Sequence, residues 1–362
     1  YIRGIYESDV SGMCHRGAAG ICIRVPCLCK NYVRGVSLGI SEMIVDDEVK
    51  RMEEKQMEYM QFKERLIEAL QEYFLGRGEV YYDKVKKMND TDKDAVIVRL
   101  IGTAVQATIY LEDMYEGYKD AGDFEKCMKE VIRACEEVPF VDERYIPETW
   151  ESAKSRLHMR VINRNWNKEG LKRMPYREYM DLAIVFYVFI KEEGGLMATL
   201  PVSRECIKLW DVDVKTLWEA SRKNLEEEVF RIETIDAVIE NMLTEMTDFE
   251  TAGMFRNKWN KMEDIGKIYV VTNTCKKYGA RAILRKDLLQ RLAKEQGGSF
   301  YILPCSVHEI LILKGDDMVT AEDFKNMVYE INHCSGTVDP EECLSDSVYY
   351  YNKDKDRVEI AA

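Results

Sequence analysis

The sequence predicts an α+β fold in which antiparallel sheet lobes are packed by helices. Three observations lead to this class. Short apolar or alternating segments occur in adjacent pairs separated by turn residues, which is typical of antiparallel hairpins. Amphipathic stretches with apolar residues three and four positions apart lie between these pairs. The C-terminal part has the order β-β-α-β-β-α-β-β, which favours an antiparallel sheet covered by helices on one face.

An N-terminal lobe is predicted over residues 57–140. It begins with a helix over 58–75, where apolar side chains recur every three or four residues until Gly76. Three short strands follow, in the segments EVYYDKVKK, AVIVRLIG and AVQATIYL. Two more helices are expected at 111–119 and 123–137. This order predicts one sheet with helices packed against it.

The middle region, residues 141–255, mixes strand and helix patterns. Apolar and polar residues alternate in RLHMRVINRNW, as in a half-buried strand. The continuous apolar run LAIVFYVFI predicts a buried strand, followed by a hairpin turn at Gly194-Gly195. Residues 224–262 are acidic, helical in pattern and poor in Gly and Pro. We therefore expect them to form a helical bridge between lobes.

The C-terminal lobe, residues 256–362, contains three predicted hairpins and two helices. The first hairpin pairs KIYVVTN with GARAIL, the second pairs SFYILP with VHEILIL across Pro304, and the third is VYYYNKDKDRVEI. Gly297-Gly298 is a helix stop. Thr320 with Asp323 is a capping pair for the second helix. Together these elements give the β-β-α-β-β-α-β-β order.

Residues 1–56 differ from the rest of the chain. The first 41 residues carry five Lys/Arg and two Asp/Glu, which gives a net charge of +3. Because the whole chain has a net charge of −13, the other 321 residues have a net charge of −16. They show neither a helical nor a strand period. Met52-Glu53-Glu54 can be encoded by a sequence that contains a bacterial ribosome-binding site. We therefore expect a native start at Met57 or Met60, with an upstream or disordered segment before it and no folded structure before residue 50.

Composition excludes several classes of function. The contents of 46% hydrophobic and 32% charged residues are typical of globular proteins. The longest apolar run has nine residues, whereas a membrane span needs about 20. A net charge of −13 argues against broad binding to nucleic acid or anionic membranes. Dispersed cysteines without a secretory signal predict a cytoplasmic protein.

Three stretches are similar to a known family. VINRNWNKEGLKRMPYREYMDLAIV, YILPCSVHEILI and PEECLSDSVYYYN together resemble the bacterial domain-of-unknown-function family 5688, from about Met57 to the C terminus. The resemblance implies no established activity, substrate or cofactor. It also implies Leu-Pro-Ser-Ser before the His-Glu pair, where this chain has Leu-Pro-Cys-Ser. A nucleophilic Cys305 would therefore belong to this protein and not to its relatives.

The stretch FYILPCSVHEILIL, residues 300–313, holds the strongest catalytic candidates. In a strand, alternate residues share a face, so Ser306 lies with His308 and Cys305 does not. Residues two apart are separated by roughly 6.5–7 Å, beyond the reach of a base toward its nucleophile. One hypothesis is a hydrolase-like enzyme with Ser306, His308 and Asp346 as its acid. The alternative is that Ser306 serves the turn and His308 is a buried structural histidine.

A basic segment, residues 154–173, is the main binding candidate. It carries seven Lys/Arg against the single acid Glu169. Such a segment could contact phosphate or nucleic acid and offer an aromatic ring for stacking, although charge runs more often pair with nearby acids. Its candidate binding residues are Arg156, Arg160, Arg164 and Trp166. A second candidate is an acidic site formed by Glu309 with Glu341, Glu342 and Asp346.

Metal and cofactor sites are not predicted. His158, His308 and His333 lie in different elements, and a site from His333, Cys334 and Cys343 lacks a fourth ligand. No glycine loop has the strand-to-helix context that phosphate binding requires. The sequence therefore predicts a cytoplasmic, non-catalytic binding or regulatory module whose partner is an unidentified protein or small ligand. The hydrolase-like enzyme and contact with nucleic acid are the alternatives.

Overall fold

The computed structural model describes residues 21–24, 57–102, 105–137, 143–193, 196–238, 268–304, 306–315, 320–333 and 338–362. These residues form three sheets with helices packed on them, which confirms the α+β class. Within the same residues, no helix combines the length and the apolar composition needed to cross a bilayer.

The N-terminal lobe contains the first sheet, with the strand order β1-β4-β3-β2. Its strands are β1 (Ile21–Arg24), β2 (Gly78–Lys86), β3 (Asp92–Leu100) and β4 (Val105–Tyr110). Its helices are α1 (Tyr59–Tyr73), α2 (Leu111–Ala121) and α3 (Phe124–Glu136). The apolar side chains of α1 at Phe62, Leu66 and Leu70 are buried in the core beneath the sheet. Their spacing of four residues is the pattern that predicted this helix.

Strand β1 corrects one expectation. The sequence predicted no folded structure before residue 50, whereas Ile21–Arg24 pairs in parallel with β4. The physical reason is that an extended segment satisfies backbone groups at the edge of a sheet that would otherwise lack strand partners. The remainder of 1–56 lies outside the described residues.

Asp94 on β3 fastens α1 to the first sheet. Its carboxylate accepts hydrogen bonds from Tyr59 (3.2 Å), Lys63 (3.0 Å) and Tyr82 (2.7 Å). Burial alone would raise the pKa of Asp94, but the hydrogen bonds from Tyr82 and Lys63 outweigh it and hold the pKa below its ordinary value. The helix and the sheet are therefore joined by a charged network as well as by apolar packing.

The second sheet is built around β7 (Leu182–Glu193). Strand β5 (Leu157–Asn163) pairs with one edge of β7, and β6 (Tyr176–Tyr179) and β8 (Leu196–Pro201) pair with successive parts of the other. Consecutive residues of β7 are buried, which explains its continuous apolar run. The helices of this region are α4 (Trp150–Ala153), α5 (Lys168–Leu171), α6 (Arg204–Leu209) and α7 (Val214–Glu227).

The third sheet has the order β14-β13-β11-β12-β10-β9 and is antiparallel throughout. Its strands are β9 (Phe230–Thr234), β10 (Ile268–Asn273), β11 (Phe300–Leu303), β12 (Ile310–Leu313), β13 (Tyr349–Asn352) and β14 (Arg357–Ile360). Helix α8 (Lys286–Glu295) belongs to the large core shared with the second sheet, and α9 (Ala321–His333) packs on the opposite face. Helices therefore cover both faces, not the single face expected.

The segment GARAIL does not form the predicted strand. Gly279–Leu284 is a 3-10 helix buried between the second and third sheets, and β9 takes the place beside β10. The close packing explains this difference: a Cβ atom at Gly279 would lie 2.4 Å from the carbonyl oxygen of His308. The predicted bridge at 224–262 is likewise part strand, at β9, and its residues from 239 onward lie outside the described chain. The division at 140 and 255 stays a prediction.

Candidate functional site

An irregular segment, residues 339–346, lies where the three sheets meet, and we call it the central segment. Asn89 of the N-terminal lobe donates to the carbonyls of Pro340 (2.6 Å) and Cys343 (2.9 Å). Asn163, at the end of β5, donates to the carbonyl of Leu344 (3.1 Å). From the turn before β12, Val307 donates its N–H to the Glu342 carbonyl (2.9 Å). The three stretches that resemble family 5688 all contribute to this junction.

Backbone strain accompanies the junction in the turn after β2. Asn89 and Asp90 have φ values of 59° and 50°, in the left-handed region that Asn and Asp tolerate better than most residues. A reciprocal pair of hydrogen bonds holds the turn: the Asn89 N–H donates to Asn167 Oδ1 (2.7 Å), and Asn167 Nδ2 donates to Asn89 Oδ1 (2.8 Å). The Asn89 amide group is thereby aimed at the central segment.

A buried ion pair adds to this junction. Lys87 Nζ lies 3.8 Å from Glu341 Oε2, and their side chains are 0% and 3% exposed. The same ammonium donates to the Tyr110 hydroxyl at 2.9 Å. Because breaking such a pair leaves an uncompensated charge in the interior, it links the N-terminal lobe firmly to the central segment.

Ser306 and His308 are both buried in the turn between β11 and β12. Ser306 Oγ accepts a hydrogen bond from the backbone N–H of His308 at 3.0 Å. His308 Nδ1 accepts from the Tyr278 N–H (3.3 Å), and Nε2 lies 3.7 Å from Glu342 Oε1. The imidazole also stacks on the Tyr278 ring, with centroids 6.0 Å apart. The structure therefore joins Ser306 to His308 through the backbone of the turn, and the carboxylate facing the imidazole belongs to Glu342.

Glu309 lies beside this turn and is half-buried. Burial raises the pKa of its carboxyl, the charge of His308 opposes the rise, and the nearby Glu342 carboxylate adds to it. The structure thus brings Glu309 into one group with Ser306 and His308. Cys305 lies outside the described residues.

Three arginines of the basic segment are engaged within the chain. Arg156 donates to the carbonyls of Ser152 and Tyr145, and Arg164 lies 2.6 Å from the Glu178 carboxylate. Arg160 is buried and donates to the Tyr278 hydroxyl at 2.8 Å. These three arginines therefore serve local turns, a surface ion pair and the inter-sheet core. A nucleic-acid contact by the basic segment stays a prediction.

Trp166 and Asp346 lie elsewhere, on either side of His333 at the surface beside the end of α9. His333 Nε2 lies 3.0 Å from each oxygen of the Asp346 carboxylate. The Tyr329 ring lies 4.5 Å from the imidazole and the Trp166 ring 6.5 Å from it, edge to face. Asn332 Nδ2 supports the carboxylate with a 2.9 Å hydrogen bond. We call Trp166, Tyr329, His333 and Asp346 the aromatic notch.

Comparison with known protein families gives a match that covers most of the chain. The sequence model of a family of unknown function, DUF5688, matches residues 59–353. The chain belongs to this family. The match confirms the resemblance found in the sequence. No curated protein and no solved structure matches the chain. The description of DUF5688 names no activity.

A further polar cluster in this DUF5688 chain could not be recognised from the sequence. Buried Arg281 donates to both oxygens of Glu228, at 2.7 and 2.5 Å, and to the Tyr187 hydroxyl at 2.8 Å. His158 stacks on Tyr187, with ring centroids 5.6 Å apart. Burial, followed by repulsion from Arg281, lowers the pKa of His158 to about 4. Its partners come from β5, β7, the end of α7 and the 3-10 helix, so no local motif marks it.

The structure offers no obvious metal centre among the described residues. No group of three or more His, Cys, Asp and Glu side chains in that part of the chain is arranged to hold a metal ion. His333, which the sequence placed beside Cys334 and Cys343, instead pairs with Asp346. Cys334 lies outside the described residues.

Proposed function

We propose that this chain is a non-catalytic binding protein that recognises its ligand at the aromatic notch. The observation that carries the proposal is a hydrogen-bonded His–Asp pair held between two aromatic rings and open to solvent. Tyr329 is 54% exposed, and the side chains of His333 and Asp346 are 41% and 31% exposed. Exposed aromatic rings beside a fixed polar pair are typical of binding surfaces.

The surroundings of Ser306 and His308 support the non-catalytic assignment. A nucleophile and its base require a direct hydrogen bond between their side chains and access for a substrate. Here Ser306 Oγ accepts from the backbone of His308, and the imidazole is placed between the Tyr278 N–H and Glu342. Both residues are buried. These contacts are those of a structural turn.

Cysteine chemistry supports the proposed cytoplasmic location. The described side chains of Cys127, Cys135, Cys206, Cys275 and Cys343 are free thiols. Cysteines stay as free thiols in reducing compartments, whereas in secreted proteins they are usually paired in disulfide bonds.

The notch can be tested by site-specific photocrosslinking. A photoreactive amino acid replaces Tyr329 in one variant and Tyr145, a tyrosine of similar exposure outside the notch, in the control. A ligand crosslinked at position 329 and not at position 145 is then purified and titrated against the wild type and Trp166→Ala. We expect about tenfold weaker binding by the variant, the range of a binding hot spot. Equal affinity for both proteins would place recognition elsewhere.

A hydrolase-like enzyme is the second candidate. It is favoured by His308 Nε2 lying 3.7 Å from Glu342 and by the raised pKa of Glu309. A panel of ester and amide substrates tests it with wild type, Ser306→Ala and His308→Asn. Turnover that both substitutions abolish in folded protein would overturn the binding proposal. Absence of turnover in all three proteins agrees with it.

A further inference from the structure

We infer that the aromatic notch binds a cationic planar group, the guanidinium of an arginine side chain on a partner peptide. This inference rests on the binding function proposed above and specifies the ligand. It draws on the acceptor capacity of Asp346, the two aromatic rings, and the charge of the surroundings.

The Asp346 carboxylate has an acceptor position to spare. Its Oδ1 accepts from Asn332 Nδ2 at 2.9 Å, and the single Nε2–H of His333 is shared between Oδ1 and Oδ2 at 3.0 Å each. A carboxylate offers about four lone-pair positions. Among the described residues, Oδ2 therefore receives only part of one hydrogen bond, on a side chain that is 31% exposed. A ligand N–H can complete it.

The rings of the notch supply the flat surfaces that a guanidinium prefers. The His333 imidazole lies against both rings, with centroids 4.5 Å from Tyr329 and 6.5 Å from Trp166. Tyr329 is 54% exposed, so a ligand can reach this ring beside the fixed carboxylate. A guanidinium stacks on aromatic faces and directs a rigid fork of N–H groups at a carboxylate. An ammonium ion is a compact point charge. It can pair with the carboxylate but cannot stack on the rings as a planar guanidinium does.

Charge favours a cation over an anion or a neutral ring. The whole chain carries −13, so its field attracts cations. Two basic side chains of the same segment are already paired: Arg164 with Glu178 at 2.6 Å, and Lys172 with Glu169 at 2.5 Å. An anion would meet the Asp346 carboxylate directly. A neutral aromatic ligand could stack but would leave Oδ2 without a charged donor.

Arginine and citrulline provide a matched pair of probes, because citrulline has nearly the shape of arginine without its charge. N-acetyl-arginine amide and N-acetyl-citrulline amide are titrated into the full chain, and the indole N–H signal of Trp166 is followed by NMR after assignment with Trp166→Phe. We expect a saturable shift with the arginine probe and about tenfold weaker binding of the citrulline probe, as for loss of a charge-assisted hydrogen bond.

Three variants sharpen this test. Asp346→Asn should weaken the arginine probe about tenfold by removing the charge, whereas Asp354→Asn, an exposed acid in the β13–β14 turn, should change it less than about twofold. Tyr329→Leu removes an exposed ring without touching the carboxylate and should weaken the probe about threefold. If Asp346→Asn perturbs the central segment, which ends at Asp346, the Tyr329→Leu variant still tests the inference.

The outcomes separate the two proposals. Equal binding of arginine and citrulline, or no shift of Trp166 at about 10 mM arginine probe, overturns the inference. If a ligand crosslinked at position 329 still depends on Trp166, the binding function stands and the ligand is of another class. If substrate turnover depends on Ser306 and His308, the proposed function falls whatever the arginine titration gives.

Discussion

Replacing Glu228 by Gln removes the counter-ion of the most enclosed arginine of the inter-sheet core. The Arg281 side chain is 3% exposed and that of Glu228 is 14% exposed. Two charge-assisted hydrogen bonds join them, at 2.7 and 2.5 Å, and Asn273 donates to the same carboxylate at 2.7 Å. Glutamine keeps the shape and one acceptor oxygen but leaves the guanidinium charge uncompensated. Breaking such a buried pair costs about 3–5 kcal/mol, so we expect a loss of about 3 kcal/mol.

Urea denaturation followed by circular dichroism measures this loss as a change in the free energy of unfolding. The matched control is Glu226→Gln, two residues earlier in the last turn of α7, because Glu226 pairs with Arg222 and their side chains are 53% and 56% exposed. The control should lose less than about 0.5 kcal/mol. Adding Arg281→Met to Glu228→Gln should recover part of the loss, because the unpaired charge is gone. A loss below about 1 kcal/mol for Glu228→Gln would refute the reasoning.

Other predictions concern buried groups near the same core and in the N-terminal lobe. His308→Phe leaves the Tyr278 N–H without its Nδ1 acceptor and should cost about 1–3 kcal/mol, while His308→Asn, whose amide oxygen can replace Nδ1, should cost less; thermal unfolding compares the two. His158 has a folded pKa of about 4, below its ordinary 6.5, so stability should fall as pH drops from 6.5 toward 4, and His158→Phe should flatten that dependence in urea titrations at several pH values. A pH dependence unchanged by the substitution would contradict this. The lowered pKa of Asp94 contributes stability above pH 3.8 that is lost as pH falls through the folded pKa, so Asp94→Asn should remove this acid-sensitive part; equal acid sensitivity of wild type and variant would argue against it.

Elements with a local pattern were predictable from the sequence. Apolar residues of α1 recur at the helical period, and the hairpins β11–β12 and β13–β14 are short segments joined by turns, so neighbouring residues alone determine them. GARAIL has the same apolar content as a strand. Whether it forms a strand or a helical turn depends on the space beside Gly279, which β10 and the turn before β12 limit. Local pattern cannot report that space.

The sequence named Ser306, His308, Trp166 and Asp346 as candidates, but it indicated neither their partners nor Tyr329 of the notch. The alternation of an ideal strand predicted that Ser306 and His308 share a face. In the structure they lie in a turn, where Ser306 Oγ accepts from the His308 N–H. Glu342 and Asp346 lie in an irregular segment four residues apart, so the sequence could not decide which faces His308 and which faces His333. Such pairings depend on contacts between distant parts of the chain.

The central segment connects the buried amides to the aromatic notch, to which two of the resembling stretches contribute Trp166 and Asp346. A buried segment without regular structure must find a partner for each backbone polar group. Side-chain amides supply them: Asn89 and Asn163 donate to its carbonyls from two lobes, and Asn332 donates to the Ser345 carbonyl at 3.1 Å. Asn332 also bonds Asp346, where the segment reaches the surface. Asn332 thus fixes both the interior segment and the Asp346 carboxylate. Such preorganisation is what the binding surface that we propose requires.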